Sequence, residues 1–212
     1  MKYTISSLGI LLMITSPVAA ASFTTYTDRV AFEAASGALS SQDFNAVVGQ
    51  PSFNGVDQTF GDITLRNDDA GGSRGYIDQP PAQFVEHDID GTANANLYAG
   101  PSASVVIQTA FSVRAFGADW GAMNDDAQRS GFSVLGEEIL AAVQSGTTVQ
   151  FFGFIADTEF DEIRIIFVDA NEGFSMDNLS YGSAAVAAVP LPATGLLLLG
   201  ALGALGLRRR RS

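Results

Sequence analysis

From residue 22 onward, apolar and polar positions mostly alternate in short runs. FGDITLRN (60–67), SVVIQTAFSVRAFGADW (104–120), GFSVLG (131–136), EILAAVQ (138–144), TVQFFGFIA (148–156), DEIRIIFVDA (161–170) and FSMDNLSYG (174–182) are rich in Val, Ile, Phe and Thr. Turn clusters such as Gln144-Ser145-Gly146 and Asn171-Glu172-Gly173 separate them. This pattern predicts strands, with 104–120 long enough for two. A helical period occurs once, in YTDRVAFEAASG (26–37), with Thr27 or Asp28 as cap, Val30, Ala31, Ala34 and Ala35 on the apolar side and Gly37 as stop. Many short strands without intervening helices predict a mainly β fold, an antiparallel β-sandwich of jelly-roll-like form with one short N-terminal helix. A barrel is the alternative.

Two stretches break the alternation. Asn67 to Gly100 is dense in Gly, Asp, Asn and Pro, which predicts long loops with one strand around Gln83 to Val85, the place where a rigid sandwich would carry binding residues. In FSMDNLSYG, Met176, Leu179 and Tyr181 are the expected packing residues, yet the spacing between Met176 and Leu179 is one residue too long.

The ends of the chain differ from its middle. Lys2, an apolar run from Leu8 to Ile14, Pro17 and small residues through Ala21 form a secretory signal peptide over residues 1–21, with cleavage by signal peptidase expected after Ala20 or Ala21. At the other end, Thr194 to Leu207 carries no charge; a helix of that length covers roughly 21 Å, against a hydrocarbon core of about 30 Å. Pro190 and Pro192 make a poor helix entry, and Arg208, Arg209, Arg210 and Arg211 form a cytoplasmic stop. A marginal membrane anchor at 194–207 is the expectation, within a tail spanning 186–212. One domain, residues 22–185, lies between these segments.

Val189, Pro190, Leu191, Pro192 and Ala193, followed by the apolar segment and the arginine cluster, resemble the PEP-CTERM sorting tails in their VPLPA variant. The body segments FTTYTDRVAFEAASG, FGADW, FFGFIADTEFDEIRIIF and FSMDNLSYG are similar in form to other exported proteins carrying such tails. The resemblance implies an exosortase-type sorting peptidase as partner and a Gram-negative source. It further implies an inner-membrane-anchored intermediate and a final place at the cell surface or in an extracellular matrix linked to exopolysaccharide.

Charge sharpens the picture. The whole chain has a net charge of −12, but between the targeting segments six arginines face all 23 acidic residues, leaving −17. Such a surface disfavours nucleic acid and attracts divalent cations. Cysteine is absent, which excludes disulfides and thiolate chemistry. The single histidine, His87, lies in the acidic EHDID stretch and is expected as a solvated loop residue; no Gly-x-Ser-x-Gly elbow accompanies it. Glu137, Glu138, Asp157, Glu159, Asp161 and Glu162 are candidate carboxylates for glycoside hydrolysis, but they are expected chiefly as solvated strand ends. Asp88 and Asp90, with Gly91 and the nearby Asn94 and Asn96, offer oxygens to Ca²⁺; Asn67-Asp68-Asp69 and Asn124-Asp125-Asp126 are similar clusters. Trp120, the one tryptophan, is either a sugar-facing ligand residue or, more in keeping with a strand position after Phe116, part of the core. These features favour a non-enzymatic structural or adhesive role, with a Ca²⁺-assisted carbohydrate-binding module and a glycoside hydrolase as alternatives.

Overall fold

The computed structural model describes residues 20–68, 74–80, 82, 84–99, 104–124, 130–141, 143, 148–167 and 172–183. Residues 1–19 of the expected signal peptide and the whole of the expected tail at 186–212 lie outside them.

Eleven strands and one α-helix make up the described chain. In order they are β1 (Phe23–Tyr26), α1 (Arg29–Ala35), β2 (Leu39–Gln42), β3 (Gln58–Phe60), β4 (Ile63–Asn67) and β5 (Arg74–Asp78). A 3₁₀ turn at Val85–His87 then precedes β6 (Asn94–Ala99), β7 (Ser104–Gly121), β8 (Ser130–Val134), β9 (Glu137–Leu140), β10 (Gln150–Phe167) and β11 (Glu172–Gly182). Every pairing between these strands is antiparallel.

Two strands organise the rest. β7 and β10, 18 residues each, form one long ladder, and each half of that ladder recruits different neighbours. Residues 115–121 of β7 pair with β11, which continues to β6 and β5 and, near its end, to β2; β1 lies against residues 153–156 of β10. These strands form the first layer. Residues 105–109 of β7 pair with β4 and through it β3, while residues 164–167 of β10 pair with β8 and then β9. These form the second layer.

The layers face each other: Phe132 of β8 stacks on Phe152 at 5.4 Å and meets Trp120 at 5.4 Å and Phe154 at 5.9 Å, all three on first-layer strands with which β8 shares no ladder there. The path is open at β5 and β9, so these strands close no barrel.

Several expectations change. The 104–120 run is one strand, and residues 150–156 and 161–167 of the two later runs join into β10, while 168–170 lie outside the described residues. The intervening DTEF reads as a break, but the ladder passes through it with register shifts on either side of Phe160. The interval 67–100 holds β5 and β6, whose polar residues conceal them as loop; of the strand expected around Gln83 to Val85, Gln83 lies outside the described residues, and Val85 opens the 3₁₀ turn Val85–His87.

The helix also corrects its predicted face. Asp28 is the cap, accepting the Ala31 N–H at 2.7 Å. Phe32 is the buried side chain, and Val30, Ala31, Ala34 and Ala35 face outward. The reason is a socket on the outer side of the first layer, where Phe32 packs with Ala115 and Phe151, flanked by Tyr26, Leu39 and Ile155. Paired glycines open that socket. Gly117 lies opposite Gly153, and a Cβ on Gly117 would approach the Phe151 ring to 2.6 Å.

β11 contains the other irregularity. Met176, Leu179 and Tyr181 all reach the core as expected. The extra residue between the first two is a bulge at Asn178, whose φ of 51° accompanies a register shift between Asp177 and Ser180. At its end Gly182 pairs with Ala115, Ala115 with Ile155 and Ile155 with Thr24.

Candidate functional site

The outer face of the first layer is polar. Ile77, Ala95, Leu97, Phe174 and Met176 point into the core, so by alternation their neighbours point the other way. The pairing aligns those neighbours in rows: Arg74 with Tyr98 and Tyr98 with Gly173, then Tyr76 with Asn96 and Asn96 with Ser175. Further along the same face Asp177 lies opposite Asp119. The 84–93 segment crosses over this face. A Cβ on Gly121 would meet Ser175 Oγ at 2.6 Å and Glu86 O at 2.9 Å, which shows how closely that segment approaches.

A cleft of about 340 Å³ opens where the rows reach the sheet edge. Phe84 and Tyr98, 48% and 39% exposed, present their rings there, with Arg74 and Tyr76 beside them. His87 and Asn96 are nearly buried, and the Asn96 amide donates to His87 Nδ1 at 3.2 Å. The His87 ring also packs against Phe84 at 5.8 Å. This corrects the expectation of a solvated loop histidine: the 3₁₀ turn folds His87 back onto β6. Burial pushes the Tyr76 hydroxyl up, with Asp78 adding to the rise and Arg74 opposing it, so Tyr76 is a neutral hydroxyl at pH 7. Among the described residues four arginines, Arg29, Arg66, Arg114 and Arg164, have carboxylate partners; no such pair is formed by Arg74, which is at the cleft.

A second hollow lies nearer the helix, lined by Arg29, Ser41, Asp43, Asp119 and Asn178. Arg29 holds it together. It pairs with Asp119 at 3.0 Å, donates to Ser180 Oγ and to the Asn178 carbonyl at 2.9 Å each, and stands 4.6 Å over the Phe151 ring. The Asn178 side chain then donates to Asp119 at 3.2 Å and to Asp90 at 3.3 Å. Asp90 is held below the usual carboxylate range, chiefly by the Thr92 hydroxyl. Asp177 is the opposite case: burial pushes its carboxyl up to about 7, with Asp90 and Asp43 adding to the rise.

The predicted site residues are dispersed. Trp120 is fully buried, its Nε1–H donating to the Phe152 carbonyl at 3.3 Å and its ring meeting Phe132 and Phe174. The sugar-facing role is thereby replaced by the core role. Asp88 and Asp90 serve their own loop, accepting the N–H groups of Gly91 at 2.6 Å and Thr92 at 3.1 Å. Among the described residues no three of His, Asp or Glu converge as metal ligands. Asp69, Asp125 and Asp126 lie outside the described residues.

The six candidate hydrolytic acids lie on β9 and β10, away from the cleft lining. Asp157 is lowered by hydrogen bonds from Ser22, Glu159 pairs with Arg114 at 3.6 Å, and Glu162 with Arg164 at 2.7 Å. Sequence reasoning missed Arg74, Tyr76, Phe84 and Tyr98. For Arg74, Tyr76 and Tyr98 the signal was the alternation in RGYID and NANLYA, diluted by Gly and Asn; Phe84, before the 3₁₀ turn, had none.

No family model matches the chain, and no curated protein matches it. A solved structure titled "CBM32 of AlyQ in complex with 4,5-unsaturated mannuronic acid" is 22% identical to it, covering 55% of this chain and 97% of its own. The TM-score is 0.29, too low to argue from.

Proposed function

We propose that the chain is an exported, non-catalytic carbohydrate-binding protein with a structural or adhesive role among extracellular polysaccharides. The observation that carries this reading is the edge cleft. Two half-exposed rings, Phe84 and Tyr98, flank a floor made of Asn96, His87 and Tyr76, with Arg74 at the side. Aromatic faces stack on the C–H faces of a sugar, while amide, phenol and guanidinium groups hydrogen-bond its hydroxyls. A cleft of this size suits a short stretch of glycan.

The sandwich is of jelly-roll-like form, and export follows from the signal peptide ending at Ala20 or Ala21. Delivery through the Val189–Ala193 motif and an exosortase-type peptidase would leave the protein at the surface or in the matrix of a Gram-negative bacterium. A glycoside hydrolase has less support, because no carboxylate is among the described lining residues of the cleft.

A glycan array with the purified protein tests the binding. Retention of one polysaccharide class is expected, reduced at least tenfold by Tyr98→Ala or Phe84→Ala with the fold intact by circular dichroism. Retention unchanged in both variants would refute the cleft as the site. Mass spectrometry of the secreted product would show a start at Ala21 or Ser22 and an end near residues 189–193; an intact C-terminal tail would refute the sorting step.

A further inference from the structure

Three buried side-chain oxygens on the outer face of the first layer have no hydrogen-bond partner: Asp177 Oδ1, Asn94 Oδ1 and Ser175 Oγ. The exposures of these residues are 0%, 1% and 0%. Folded proteins seldom leave such atoms without water or an ion, because each has lost its solvent and gained nothing. The three are not scattered. The pairing of Ala95 with Met176 places Asn94 beside Asp177 on adjacent strands, both directed away from the core, and Ser175 follows two residues along the same face.

The surroundings of Asp177 are acidic. Asp90 and Asp43 repel its carboxyl, which the backbone N–H groups of Asn178 and Phe44 offset in part without serving Oδ1, and Asp119 stands opposite on β7. Arg29, the cation of this group, is committed to Asp119 at 3.0 Å. Thr92, in the loop that crosses above, donates its hydroxyl to Asp90 and lies 3.4 Å from Asp177 Oδ2, so the two carboxylates flank one oxygen. Water could satisfy the orphaned oxygens, but without a cation the charge on Asp177 is relieved only by a proton, as its raised carboxyl shows.

We propose that a Ca²⁺ ion binds between β6 and β11 beneath the 88–93 loop, ligated by Asp177 Oδ1 and Asn94 Oδ1, with Asp90 supplying the loop carboxylate above it. The donor set contains only oxygen, which selects against the transition metals that prefer nitrogen and sulfur. With no three carboxylates or histidines converging, the remaining ligands are amide, main-chain or water oxygens. Ca²⁺, with its six to eight ligands and loose geometry, accepts such a mixture, whereas Mg²⁺ demands a tighter octahedron. The site differs from a simple Asp88/Asp90 loop in drawing its central ligands from the sheet.

Calorimetry tests this on the full chain in mild detergent, stripped with a chelator and titrated with CaCl₂ in about 0.15 M salt, where diffuse surface binding is screened. One saturable site and a raised melting temperature are expected. Asp177→Asn should weaken binding at least tenfold, Asn94→Asp should tighten it by adding charge, and the exposed Asp157→Asn should change nothing. If Asp177→Asn fails to fold, Asn94→Asp carries the comparison alone. Absence of saturable heat and melting shift, unchanged affinity in Asn94→Asp, or equal affinity for Mg²⁺ would each overturn the proposal.

Discussion

Arg29 joins the helix to the bulge of β11, and replacing it with methionine isolates that link. Methionine keeps much of the apolar stem against Phe151 but removes the guanidinium. Three polar contacts vanish together: Asp119 at 3.0 Å, Ser180 Oγ at 2.9 Å and the Asn178 carbonyl at 2.9 Å. The Asp119 side chain is 20% exposed, so water reaches it and the cost falls below that of a fully buried broken pair. A charge-assisted bond is worth about 1.5–3 kcal/mol and a neutral partner about 1 kcal/mol. The cation over Phe151 adds about 0.5–1 kcal/mol. Glu33, 3.7 Å away and half exposed, adds little.

Allowing for the methionine packing, the expected loss is about 2–3 kcal/mol, or a fall of about 1 M in the urea midpoint at an m-value of about 2–3 kcal/mol per M. Arg29→Lys should recover less than half of this, because one ammonium cannot reach three partners set out for a planar fork. A double-mutant cycle with Asp119→Asn should show a coupling of about 1 kcal/mol or more. A loss below about 0.5 kcal/mol, or zero coupling, would refute the role given to this contact.

Three further outcomes are expected. Trp120→Ala should cost about 3–5 kcal/mol in urea unfolding, while Trp120→Phe, which loses the bond to Phe152, should cost less and leave glycan retention by the folded protein unchanged; loss of retention in the folded Phe variant would contradict the core assignment. Gly153→Ala should destabilise by about 1–3 kcal/mol, since its Cβ would meet Gly117 Cα at 2.9 Å and Phe116 O at 3.0 Å; a thermal melt equal to wild type would show that β10 yields there. In chelator, Asp177 titrates from 3.8 unfolded to about 7 folded, so its stabilising contribution is complete below pH 4 and lost as pH rises through 7. Relative to Asp177→Asn, wild-type stability should fall by at most about 4 kcal/mol across that window, and parallel pH profiles of the two proteins would refute the buried acid.

The strands best legible in the sequence were those whose two faces differ most. β4 and the core runs of β7, β10 and β11 alternate Ile, Val and Phe with polar residues, or run apolar where both faces are covered, as around Ala115 and Phe116. β5 and β6 were hidden because Asn94, Asn96 and Asp78 are buried polar residues, and composition alone assigns such residues to loops. The helix was found but given the wrong face, since its contact is one aromatic ring in a glycine-floored socket and Val30 faces solvent at 73% exposure. The cleft was invisible because it joins β5, β6 and residue 173 through a register that no local pattern encodes. The spacing fault between Met176 and Leu179 was legible, and it marked the bulge that Arg29 and Asp90 both grip.

β11 has a mechanical consequence. Gly173 lines the cleft and Gly182 ends the same strand, nine residues on, about 30 Å away at about 3.3 Å per residue. If the proposed glycan occupied the cleft and the proposed tail held the protein, tension between them would run along the length of β11. With β7 on one side and β6 then β2 on the other, that load would fall on many hydrogen bonds in shear at once instead of peeling them singly. The strand would act as a tendon between what is held and what holds.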